Sequence, residues 1–114
     1  VFINFFPLKV FKMDILQEYI KLGCPVSNCH NFMTDIQAWL RDIQNIHIRI
    51  DITYSTRREE RLYWAELFDI NSYNRTYASF NIMATFIPHG KDYDAALLKG
   101  IEAALEILKN REKK

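Results

Sequence analysis

Residues 46–54, IHIRIDITY, alternate without a break: Ile46, Ile48, Ile50, Ile52 and Tyr54 share one parity, and His47, Arg49, Asp51 and Thr53 share the other. Successive side chains of a strand point to opposite faces, so this segment is a strand with one buried and one wet face. A parallel sheet sandwiched between helices leaves no polar face. The alternation therefore demands an antiparallel sheet backed by helices on one side only.

The segments that follow supply the rest of that sheet. Residues 55–60, STRREE, form a charged turn, and residues 61–70, RLYWAELFDI, form a second strand. Its Leu62, Trp64, Phe68 and Ile70 lie on one parity and Tyr63, Ala65 and Leu67 on the other, which suits a central strand. Residues 71–74, NSYN, make the next turn, and residues 75–86 return as a third strand with Thr76, Ala78, Phe80, Ile82, Ala84 and Phe86 as its apolar face. Connections this short favour hairpins, hence a meander.

A helix is expected on each side of the strands in sequence. Thr34 and Gln37 have capping-box spacing, Ile36, Trp39, Leu40 and Ile43 share a face, and Asn45 suits a left-handed helix end. Asp92 caps a last helix on which Tyr93, Ala96, Leu97, Gly100, Ile101, Ala104, Leu105 and Leu108 recur at three and four residues. Gly100 and the alanines give that face low relief, so it can lie close to a neighbour. The charged tail KNREKK is expected to fray. The fold class is α+β: a two-layer, three-stranded antiparallel meander with helices packed on one face, in the order α-β-β-β-α.

Ahead of this domain, assigned to residues 32–114, residues 1–31 divide into three pieces. Residues 1–11 read as an extended segment; Asp14 and Gln17 have capping-box spacing before a short helix carrying Ile15, Leu16, Tyr19 and Ile20; Gly23 stops it, and residues 24–32 form a linker. Met13 and Met33 are both conceivable starts of a natural open reading frame, so the residues before Met33 are not assumed native. Phe2, Phe5, Phe6 and Phe11 are too densely apolar to be left in water, and are expected to cover the open sheet face, add to a sheet edge or meet a second chain.

Composition narrows the function. A formal charge of +1 from 15 basic and 14 acidic side chains gives no bulk attraction for phosphates, so nucleic acid would need a local patch. Arg57, Arg58 and Arg61, with Lys91, are the candidates, although Glu59 and Glu60 interrupt them. No apolar run approaches the ~20 residues of a membrane helix. Cys24, Cys29, His30 and His47 lack the second pair of a structural zinc site, and Cys29 beside His30 has no orienting third group, so no metal, catalytic residue or cofactor is assigned. Two reduced thiols fit a cytoplasmic protein. Asn74-Arg75-Thr76 has glycosylation spacing, which matters only in a secreted chain.

Two resemblances accompany this reading. The order helix, three strands, helix resembles the double-stranded RNA-binding domain, a family whose last helix opens on a lysine-rich N-terminus; this chain has Lys91 followed by Asp92 and Asp94 there, so the resemblance implies the fold and not the binding. DIQAWLRDIQNIHIRI and YDAALLKGIEAALEIL are similar to segments of small bacterial and phage proteins of unknown function, through Trp39, Leu40, Asn45, His47, Tyr93, Ala96, Gly100, Ala104 and Leu105. That likeness implies a shared fold.

The expected role is a non-enzymatic interaction or accessory module, self-associating or binding a protein partner through Phe2, Phe5, Phe6 and Phe11 or a sheet edge. The alternatives are nucleic-acid binding by the arginine hairpin, and an enzyme using the His47, Arg49 and Asp51 face.

Overall fold

The computed structural model describes residues 8–26, 32–86 and 91–112. Its elements are α1 (Leu8–Lys21), α2 (Phe32–Asp42), β1 (Ile46–Ser55), β2 (Glu60–Asn74), β3 (Ser79–Thr85) and α3 (Tyr93–Glu112). The strands form one antiparallel sheet in the order β1-β2-β3. α2 and α3 pack on one face of it, so the expected two-layer α-β-β-β-α architecture is observed.

Both hairpins use the same device. Each loop has four residues, 56–59 and 75–78, and its last residue is left-handed: Glu59 at φ 54° and Ala78 at φ 51°. The residue before each loop braces it, since Ser55 Oγ accepts from the Arg58 N–H and Asn74 Oδ1 from the N–H groups of Thr76 and Tyr77. The glycosylation-like triplet is thus a turn cap. Asn45 takes the left-handed conformation expected of it, at φ 61°, and its carbonyl accepts the Ile70 N–H at 3.0 Å, which starts the β1–β2 ladder.

One core binds the elements. Ile46 and Ile48 of β1, Ala65 and Leu67 of β2, Ile36 and Leu40 of α2, and Ile101 and Ala104 of α3 are all buried in it. The low relief of α3 brings it close to the sheet: a Cβ on Gly100 would lie 2.8 Å from Ile48 Cγ2 and 3.2 Å from Ala65 Cβ. Asp92 caps α3, its carboxylate accepting the Asp94 N–H at 2.9 Å. Of the tail expected to fray, residues 109–112 continue the helix to Glu112, and Arg111 donates to the Gln44 carbonyl at 3.2 Å; residues 113–114 lie outside the described residues.

Helix starts depart from the capping-box reading. α1 begins at Leu8, so Asp14 lies within it, and residues 8–11 are helical rather than extended. Leucine, lysine and methionine in LKVFKMD are good helix formers, and no breaker separates them from Asp14. α2 begins at Phe32, which leaves Thr34 in its first turn, while Gln37 Nε2 reaches the Ile48 carbonyl at 3.3 Å instead of turning back. α1 joins the helical side: Ile15, Leu16 and Tyr19 enter the common core, Tyr19 packs edge-on to Trp39, and its hydroxyl donates to the Ile101 carbonyl at 2.6 Å. Residues 1–7, including Phe2, Phe5 and Phe6, lie outside the described residues. Among those described, no helix is long and apolar enough to cross a membrane.

Candidate functional site

The sheet face opposite the helices carries the most unusual surface. In β1 it presents His47, Arg49, Asp51 and Thr53, and the register sets Phe68, Glu66, Trp64 and Leu62 of β2 directly opposite them. β3 should have continued this face with polar residues. An irregularity between Leu67 and Phe68 prevents it: Ala84 pairs with Leu67, but Ile82, two residues on, pairs with Phe68, leaving Met83 as an extra residue. The expected single apolar face of β3 is therefore divided. Ala84 and Phe86 pack on the core, whereas Ile82 emerges on the open face at 56% exposure. A second irregularity pairs Tyr73 with Phe80, whose rings meet edge-on at 5.3 Å, and Phe80 remains 41% exposed. Beside it, Asn81 donates to the Ser72 hydroxyl.

Charges organise the β1 side. Arg49 donates to Glu66 across the strands, lies 3.0 Å from Asp51 Oδ2, and stacks over the Phe68 ring at 4.9 Å. The guanidinium stays charged, held above its ordinary range first by the Glu66 hydrogen bond. His47 sits 6.4 Å from the Phe68 ring. Burial, then the nearby Arg41 and Arg49 charges, push its pKa below the usual histidine range, so the imidazole is neutral at pH 7. Arg41 at the end of α2 holds Asp42 at 2.9 Å.

Between these groups runs an open groove of about 400 Å³, lined by Arg41, His47, Arg49, Phe68, Ile70, Ser79 and Phe80. Its floor is apolar and its β1 rim polar, formed by neutral His47 and the ion-paired Arg49. His47, Arg49 and Asp51 were singled out by strand parity. Arg41, Ser79 and Phe80 were not, because a helix end and a bulged strand carry no parity signal that links them to β1.

The arginine hairpin forms a separate, smaller hollow of about 320 Å³ lined by Tyr54, Glu59, Glu60, Arg61 and Lys91. The fold does bring Lys91 to the hairpin. It does so through Glu60, whose carboxylate takes Lys91 Nζ at 3.0 Å and Arg58 Nε at 3.5 Å, so two of the four cations share one carboxylate. Arg57 and Arg61 are exposed. Phe11 falls within α1 and so belongs to a helix, not to an extended strand.

Cys24 is a free thiol buried on the helical side, where burial pushes its pKa up to about 11, whereas His47 lies on the opposite sheet face. The fold thus keeps two of the four imagined zinc ligands apart; Cys29 and His30 lie outside the described residues. Among the described residues no three His, Cys, Asp or Glu side chains converge as a metal site. Comparisons with family models, curated proteins and solved structures return no match to this chain.

Proposed function

We propose that the chain is a non-enzymatic interaction module whose contact surface is the open sheet face, and that its partner is a protein segment bringing an apolar or aromatic side chain to the floor between Phe68, Ile70 and Phe80. The observation that carries this reading is the exposure of Phe80 and Ile82 beside an apolar-floored groove. Large apolar side chains grouped beside a groove on an otherwise charged surface are characteristic of contact sites. The acids of this face are engaged with Arg49 rather than directed at the groove, which supports binding over acid–base chemistry.

Panning a random peptide library on the full chain tests the reading. Burying the exposed part of one such ring contributes about 1–2 kcal/mol, so Phe80→Ala should weaken the selected peptides about tenfold or more. Peptides that bind the Phe80→Ala and Ile82→Ser variants as tightly as the native chain, or a failure to select any, would refute it.

The arginine hairpin supports a second reading, nucleic-acid binding, because Tyr54, Arg61 and Lys91 line one hollow. That reading requires affinity for a DNA or RNA duplex that falls steeply with salt and is lost in Arg57→Ala/Arg61→Ala.

A further inference from the structure

The β1–β2 ladder determines which backbone groups of β1 face outward. The Ile70 N–H bonds the Asn45 carbonyl, and the register then continues unbroken from Ile46 opposite Asp69 to Ser55 opposite Glu60. In an antiparallel pair, mutually bonded residues alternate with unbonded ones. His47, Arg49, Asp51, Thr53 and Ser55 therefore bond to β2, and the N–H and C=O groups of Ile46, Ile48, Ile50, Ile52 and Tyr54 point to the free edge. An independent contact agrees: the outward Ile48 carbonyl is the one that Gln37 of α2 occupies at 3.3 Å.

Among the described residues, that edge is open beyond Ile48. Ile52 and Tyr54 are 51% and 59% exposed, and no described side chain hydrogen-bonds to the backbone of Ile50, Ile52 or Tyr54. A regular edge with exposed β-branched and aromatic side chains is a template for another strand. The opposite edge, β3, is shorter and broken by two irregularities, which blunt it.

We propose that two copies of this chain pair antiparallel through β1, with Ile52 at the two-fold axis, joining two three-stranded sheets into one. The register follows from what it must avoid. Centring on Ile50 would require the Ile48 carbonyl that Gln37 already holds, and centring on Asp51 would set two carboxylates opposite each other. Centring on Thr53 would run Ile50 against the turn at Thr56. With Ile52 opposite itself, Ile50 faces Tyr54, Asp51 faces Thr53, Arg49 faces Ser55, and no like charges meet. A chain of formal charge +1 adds no bulk repulsion. The pairing is independent of what the open face binds, and a two-fold interface of identical patches closes at a dimer.

The test is the solution mass of the full chain by light scattering across a hundredfold concentration range, together with amide hydrogen exchange. The native chain should rise from 13.6 kDa to twice that mass. The Ile50, Ile52 and Tyr54 amides should slow with concentration, while those of Arg49, Asp51 and Thr53 stay slow throughout. Ile52→Lys, at an exposed position, should remain a folded monomer, as should Ile52→Pro, whose lost N–H serves no bond to β2. Phe80→Asp should still double in mass. A native chain that stays at 13.6 kDa, an Ile52→Lys variant that associates like the native chain, or a Phe80→Asp variant that alone loses association would each overturn the proposal.

Discussion

Replacing Gly100 with alanine sets two opposing effects against each other on the face of α3 that meets the sheet. In an isolated helix the change is favourable by about 1 kcal/mol, because glycine loses the most backbone freedom. Here the new Cβ would lie 2.8 Å from Ile48 Cγ2 and 3.2 Å from Ala65 Cβ. Neither neighbour can swing aside: Ile48 is 2% exposed and branched at Cβ, and the Ala65 Cβ moves only with its strand. Relief requires α3 to lift from the sheet by about half an ångström, loosening Leu97, Ile101 and Ala104 along with it, and overpacking of that kind costs about 1–3 kcal/mol. The net expectation for Gly100→Ala is a loss of up to about 2 kcal/mol, read as a lower urea midpoint at unchanged slope by circular dichroism. Ile48→Ala alone should cost about 2–5 kcal/mol, and in that background Gly100→Ala should become markedly less harmful, giving a coupling of about 1 kcal/mol or more. A Gly100→Ala variant stabilised by the full helix-propensity gain would refute the close approach of α3 to the sheet.

Two further outcomes concern protonation. Burial raises the Cys24 thiol from 9.0 to about 11 and raises the Tyr19 phenol beyond the ordinary tyrosine range, the latter also through Cys24. Each group keeps its proton in the folded chain where the unfolded chain releases it, so stability is full below about pH 9 and declines as pH rises through 11; Cys24→Ala should remove the early part of that decline in urea titrations, and Tyr19→Phe should cost about 1 kcal/mol at pH 7 for the lost bond to Ile101 while flattening the later part. For His47 the sign is opposite: its folded pKa lies below the 6.5 of an unperturbed imidazole, so stability drops as pH falls below that value, and a histidine NMR titration with a midpoint above 6.5 would contradict the burial and arginine field described for it.

The fold was legible because β1 is unambiguous. Once one face of Ile46, Ile48 and Ile50 must be buried and the other wet, an antiparallel sheet with helices on a single side is the remaining solution, and apolar residues on both parities of residues 62–68 place β2 at the centre. Helix starts were less legible, for a local reason. Asp14–Gln17 and Thr34–Gln37 have the spacing of a capping box, yet spacing does not say whether the backbone N–H groups there are unpaired. They are already inside helices, and Gln37 is more useful as a donor to the exposed edge carbonyl of Ile48. The N-terminal helix was undervalued because its burial depends on Tyr19 meeting Trp39 and Ile101, contacts between residues far apart in sequence.

The candidate site was hidden by a single extra residue. Read at a period of two, Phe80, Ile82, Ala84 and Phe86 form one apolar stripe, which would leave the open face of β3 polar and the groove without a floor. Met83 breaks the period: everything before it in the strand exchanges faces, so Ile82 comes to lie opposite Phe68 while Ala84 stays opposite Leu67. A bulge is an event in the pairing of two strands, set by which register buries Ala84, Met83 and Phe86 best, and alternation within one strand does not encode it. The polar half of the groove was readable for the converse reason, since His47, Arg49 and Asp51 lie on an unbroken strand whose parity never changes. The groove therefore joins a regular strand to an irregular one, and deleting Met83, the extra residue, should leave Ala84 opposite Leu67 and Ile82 opposite Phe68 in a strand that is now regular, so Phe80 and Ile82 stay on the open face and binding there survives; a folded Met83 deletion that loses binding would refute this pairing.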